Sequence, residues 1–134
     1  MKRTLFSLLL PALALALSLA PPAMAIGFVN NGTQWLALSA EEKFSYVRGL
    51  NDAANFVFID DSLDAAIAKT GRTKCLVEKK VTTAILADML TTAYDKEGAR
   101  YGQLAPLVVY LARVGEFCRD VIVRERAGFG LPPQ

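Results

Sequence analysis

With 134 residues, the chain is long enough for one hydrophobic core and too short for two. It contains no histidine, which removes the commonest general base and the commonest zinc ligand together. Fifteen Lys and Arg against 13 Asp and Glu leave a formal net charge of only +2, without the basic field that nucleic-acid binding requires.

Residues 1–25 read as an export signal. Lys2 and Arg3 give a positive start, residues 5–20 form a mainly apolar run interrupted by Pro11, and Ala23-Met24-Ala25 has the small-x-small pattern of a cleavage site. The apolar run is shorter than the roughly 20 residues of a spanning helix, so removal after Ala25 is expected, with no stable membrane span left behind. Loss of Lys2 and Arg3 makes the remaining 109 residues neutral, 13 basic against 13 acidic. Neither nucleic acid nor a cationic ligand is indicated by that balance. Export to the periplasm or beyond places the two cysteines where disulfides persist, and two cysteines allow one intramolecular pairing. A bridge from Cys75 to Cys118 is therefore expected, worth roughly 3 to 4 kcal/mol in the chain-entropy account.

The predicted domain, residues 26–134, begins with an arm over 26–38. Asn30-Asn31-Gly32 signals a turn, and Trp35 is the anchor expected to pack the arm onto the core. Ser39 and Glu42 have capping-box spacing, so a helix is predicted over 40–58, with Phe44, Val47, Leu50, Ala54 and Val57 or Phe58 on its core face. Gly49 within it suggests close approach of another helix. The end of this helix, Phe56-Val57-Phe58-Ile59, is apolar on every side. Either the next segment wraps it or it is exposed for a partner, and Phe56, Phe58 and Ile59 are the candidate partner-binding residues.

Asp60, Ser62 and Asp64 have the opening spacing of a calcium loop, but Ala65 stands where that loop needs glycine and Gly71 where it needs a bidentate acid. No metal is assigned to them. Asp61 is instead the predicted cap of a short helix to Lys69, closed by Gly71. Residues 72–81 read as a solvated basic loop with Lys74, Lys79 and Lys80, carrying Cys75. Thr82 caps a third helix through Tyr94, and the glycines of 95–102 break the pattern. A last helix takes Pro106 in its first turn, carries Cys118 on its apolar stripe, and stops at Gly128 before a tail. The expected fold is all-α, a small bundle of about four helices stapled by one disulfide.

Chemistry is scarce in this pattern. Oxidised cysteines offer no thiolate, their spacing is unlike a redox pair, and capping explains the acidic pair Glu41 and Glu42. No catalytic residue, cofactor or metal is assigned, and a non-enzymatic role is expected. The order of Trp35-Leu36, Lys43, Tyr46-Val47-Arg48-Gly49-Leu50, Cys75, Val81-Thr82 and a last helix with Phe117-Cys118 resembles the Rap/Tai family of type VI secretion immunity proteins. The resemblance implies a small periplasmic helical protein with one disulfide, often a homodimer, that binds and blocks a toxin attacking the cell wall. Leu76 and Phe117 depart from it, because the family tends to have proline after its first cysteine and before its last. Two other readings stand beside this one. A periplasmic stress chaperone similar to HdeA-type proteins is also small, helical and disulfide-bridged, although Trp35 lacks that family's neighbouring cysteine. The other is a structural subunit of an envelope assembly.

Overall fold

Asn31, Ser39, Ser62 and Thr82 each turn the chain into a helix by the same device. The side-chain oxygen accepts a hydrogen bond from the backbone N–H three residues on, at Gln34, Glu42, Ala65 and Ile85. In the computed structural model, which describes residues 28–133, these caps open α1 (Gly32–Ala37), α2 (Ala40–Asn55), α3 (Leu63–Glu78) and α4 (Thr83–Lys96). A single turn, α5 (Gly98–Tyr101), leads to α6 (Pro106–Phe117) and α7 (Arg119–Gly128). The predicted signal segment lies outside the described residues.

All seven helices among the described residues are α, and there is no strand. The all-α expectation holds, with more elements than four because the arm contains α1, the glycine-bearing segment after α4 contains α5, and the last helix is divided. α4 is central and packs against α1, α2, α5 and α6. Its buried side chains, Leu86, Leu90, Ala93 and Tyr94, recur at three- and four-residue spacing and meet Trp35, Val47, Val109 and Tyr110 in one core. Tyr94 donates its hydroxyl to the Leu104 carbonyl at 2.9 Å, and burial pushes its pKa up to about 12.

α3 and α7 form the most extensive helix pair. Asp64 meets Arg126, Gly71 meets Ile122 and Cys75 meets Cys118, an antiparallel register. The Cys75–Cys118 bridge is present, with Cα atoms 5.6 Å apart and a sequence separation of 43. Arg126 is buried, donating to the Pro132 carbonyl at 2.7 Å and pairing with Asp64 at 3.2 Å, so it ties the C-terminal tail to the start of α3.

Several expectations are corrected. α2 ends at Asn55 rather than 58, and Phe44 on it is exposed. Ser62, not Asp61, caps α3, and Gly71 does not close it. Cys75 consequently sits on a helix rather than a loop. Lys74 and Lys79 are not merely solvated, since they pair with Glu125 and with Asp120 of α7. At the other cysteine the predicted continuous helix breaks, where Cys118 adopts φ −101° and ψ 7° and α7 turns to lie along α3.

Gly71, not Gly49, marks the close approach of another helix. A Cβ on Gly49 would meet nothing within 4 Å, whereas one on Gly71 would lie 3.1 Å from the Ile122 Cα. Gly49→Ala should therefore raise stability by about 1 kcal/mol through helix propensity alone. Gly71→Ala should lower it by about 1 kcal/mol, because crowding against backbone outweighs the same gain. Urea midpoints of the two variants check this; a stabilised Gly71→Ala would show that α7 yields without strain.

Candidate partner-binding site

After Asn55 the chain leaves the helix at Phe56, with ψ 123°, and its last helical hydrogen bond runs from the Phe56 N–H to the Asp52 carbonyl at 3.1 Å. The following apolar residues are not wrapped by the next segment. Phe56 is 60% exposed, Phe58 51%, and Ile59 entirely so. Val57 and, beyond the turn, Leu63 extend the exposed apolar surface. Covering such side chains releases about 1.5 to 3 kcal/mol for each one fully buried, so a loop that leaves them in water has surface to offer a partner.

The loop is nevertheless fixed. The Asp61 carboxylate accepts from the Phe58 N–H at 2.7 Å and from the Lys69 ammonium at 2.7 and 2.8 Å. That ammonium lies 4.7 Å from the centre of the Phe58 ring, and Phe56 meets Phe58 edge-on at 4.9 Å. Lys69 thus holds both the turn and the ring. Asp61, read from the sequence as a helix cap, is the organiser of the loop instead.

A polar network anchors the loop's stem. The Arg72 guanidinium donates to the Ala54 carbonyl and to Asn55 Oδ1, each at 2.8 Å. Asn55 Nδ2 donates to the Tyr110 hydroxyl at 3.2 Å and to Asn51 Oδ1 at 3.0 Å, and the Tyr110 hydroxyl donates to Asn51 Oδ1 at 2.8 Å. The network joins α2, α3 and α6. Burial lowers the Arg72 pKa and raises that of Tyr110. None of these four residues stood out in the sequence, because their spacing follows the fold and no local motif.

The Lys69 hydrogen bond, followed by the Phe58 N–H, holds the Asp61 carboxyl below its ordinary range. A group with a lower folded than unfolded pKa contributes fully above its unfolded value and loses that contribution as pH falls through the folded one. Glu42, through Ser39, and Asp120, through Lys79, are shifted the same way. Stability should therefore hold from neutrality down to about pH 5 and fall below about pH 4. Asp61→Asn should show a shallower acid decline in urea midpoint; an unchanged decline would mean that Asp61 gains nothing from Lys69.

Other features are less committed to binding. Leu104, Leu107, Val108 and Leu111 form a partly exposed strip along α6 and its approach, and a cleft lies between α2, α3 and α4. Among the described residues no cluster of three or more His, Cys, Asp or Glu side chains can hold a metal. Asp61 and Asp64 of the acidic run are instead paired with Lys69 and Arg126. No described helix is long and apolar enough to cross a membrane. Comparison with family models, characterised proteins and solved structures gives no match.

Proposed function

We propose that the chain is an exported periplasmic binding protein of immunity type, which captures and neutralises a cell-wall-targeting type VI secretion toxin through the 56–59 loop. The observation that carries this reading is an apolar loop both exposed and pinned: Ile59 lies wholly in solvent while Asp61 and Lys69 fix the turn behind it. Pre-organisation of that kind reduces the ordering cost of association and suits a tight protein partner. The order of Trp35, Tyr46, Cys75 and Cys118 that resembles the Rap/Tai family supplies the class of partner. The disulfide supports an oxidising compartment. A binding role rather than catalysis is supported by the absence of histidine and by the joining of both cysteines.

An acid-activated chaperone hides its apolar surface until protonation releases it. Here the aromatic loop is already displayed with its carboxylate ionised, which favours the first reading.

Co-expression with a cell-wall-degrading toxin encoded beside this gene should give a co-purifying complex. Ile59→Asp should weaken capture about tenfold or more without moving the melting transition, since the Ile59 side chain is fully exposed. A gene with no toxin neighbour and no toxin recovered from envelope extract, or undiminished capture by Ile59→Asp, would overturn the proposal.

A further inference from the structure

The C-terminus of α3 closes in a Schellman arrangement. The Lys80 N–H donates to the Val77 carbonyl at 3.1 Å and the Val81 N–H to the Leu76 carbonyl at 2.8 Å. The residue between must adopt positive φ, where glycine fits without penalty, yet Lys80 occupies it at φ 52°. Lys80 is the one described non-glycine residue in that region of conformational space. Its side chain is thus kept at a cost in stability, and it stands on the rim of a cleft.

The cleft, about 690 Å³ in volume, lies between α2, the second half of α3 and the start of α4. That size is within the usual range for small-ligand sites. Leu76 and Leu86, which keep a little exposed surface, and the exposed Val77 form an apolar floor. Arg48 and Lys80 edge it, and neither side chain bonds or pairs with any described residue, whereas Lys74 and Lys79 on the same helix end are paired. Asn51 also lines the cleft. Its Oδ1 is taken by the Tyr110 hydroxyl and Asn55 Nδ2, which fixes the carboxamide and leaves its own Nδ2 a donor without a protein partner. Asp52 is the one carboxylate in the lining.

We infer that this cleft binds the C-terminal carboxylate of a peptide ending in an apolar residue. Arg48, Lys80 and Asn51 Nδ2 supply two charges and a neutral donor for the carboxylate. The terminal side chain settles on Leu76, Val77 and Leu86, and Asp52 accepts the N–H of the last residue. A fatty acid satisfies the cations and the floor but brings no N–H for Asp52, so a peptide is the better match. The cleft shares no residue with the 56–59 loop, so peptide binding and partner capture can be measured separately.

The test uses the intact protein and N-acetylated tripeptides ending in alanine, valine, leucine or phenylalanine, each as free acid and as C-terminal amide. At least one free acid should shift the backbone resonances of Asn51 and Lys80 and bind about tenfold or more tightly than its amide. Lys80→Gly should melt at a higher temperature than the parent and lose that affinity, and Arg48→Gln should lose it while remaining folded. Silence from every free acid at millimolar concentration, equal binding of acids and amides, undiminished binding by Lys80→Gly, or tighter binding of dodecanoate than of all peptides would each overturn the assignment.

Discussion

Replacement of Trp35 by alanine should destabilise the protein by about 3 to 5 kcal/mol, the range for removing a large buried aromatic. The indole is completely buried, edge-on to Tyr46 at 5.9 Å and tilted against Tyr94 at 6.2 Å. Its Nε1–H donates to Thr91 Oγ1 at 3.1 Å, and the Thr91 hydroxyl in turn donates to the Ala87 carbonyl at 2.8 Å. One side chain therefore joins α1, α2 and α4. The helix carrying it has six residues, well below the length at which a helix persists in water by itself. Gly32 shares the work, since a Cβ there would fall 2.5 Å from the Tyr94 ring and its N–H reaches the Gly102 carbonyl at 2.8 Å. Without the indole, α1 loses its main hold on the core. Chemical denaturation should show the loss, and amide exchange should show protection vanishing across 32–37 first. A loss below about 1 kcal/mol would mean that the arm is held by Val29 and Gly32 and that Trp35 merely fills space.

The anchoring role of Trp35 was legible because one large aromatic in a short arm has few other places to go. Ser39 and Thr82 were legible as well, because a cap oxygen and the backbone N–H that donates to it lie within four residues and need no knowledge of the fold. Gly71 was not. As a residue it has the look of a stop, and only the backbone of Ile122, 51 positions later, explains its smallness. The same distance obscured Lys74 and Lys79, whose acidic partners are on α7. Read without those partners, three lysines in seven positions look like a solvated loop, and Cys75 went onto that loop with them. The run from Phe56 to Ile59 could be recognised as anomalous, since no helix can bury all its faces at an exposed end. Whether it was wrapped or displayed depended on Asp61 and Lys69, eight residues apart, one in the turn and the other inside α3. The cleft left no local trace: Arg48 and Asn51 come from α2 and Lys80 from the turn after α3, and the one unusual feature, positive φ at Lys80, is a property of the backbone rather than of the residue type.

Loss of the Cys75–Cys118 bridge should cost about 4 kcal/mol, because 43 positions separate its ends and the unfolded chain regains the corresponding loop entropy. The double variant Cys75→Ser with Cys118→Ser avoids a stray thiol and is the cleaner test. Little else on that side of α3 can compensate. The pairs of Lys74 with Glu125, Glu78 with Arg124 and Lys79 with Asp120 are at the surface, where each is worth about 0 to 1 kcal/mol. The two proposed surfaces should respond differently. Cys75 is twelve residues into α3, roughly 18 Å along the helix from Leu63 and the 56–59 loop, and that loop is fixed by Asp61, Lys69 and Arg72 without help from the bridge. Capture of the proposed partner by the reduced or double-serine protein should therefore persist wherever the protein remains folded. Leu76 and Val77, next to Cys75, line the cleft, and the Leu76 and Val77 carbonyls hold Lys80 and Val81 in place. Peptide-carboxylate affinity should fall in the same variant at a temperature where circular dichroism still reports a folded helical chain. Capture lost together with peptide binding, at full helicity, would show that α3 moves as one lever and that the loop and the cleft are coupled through it.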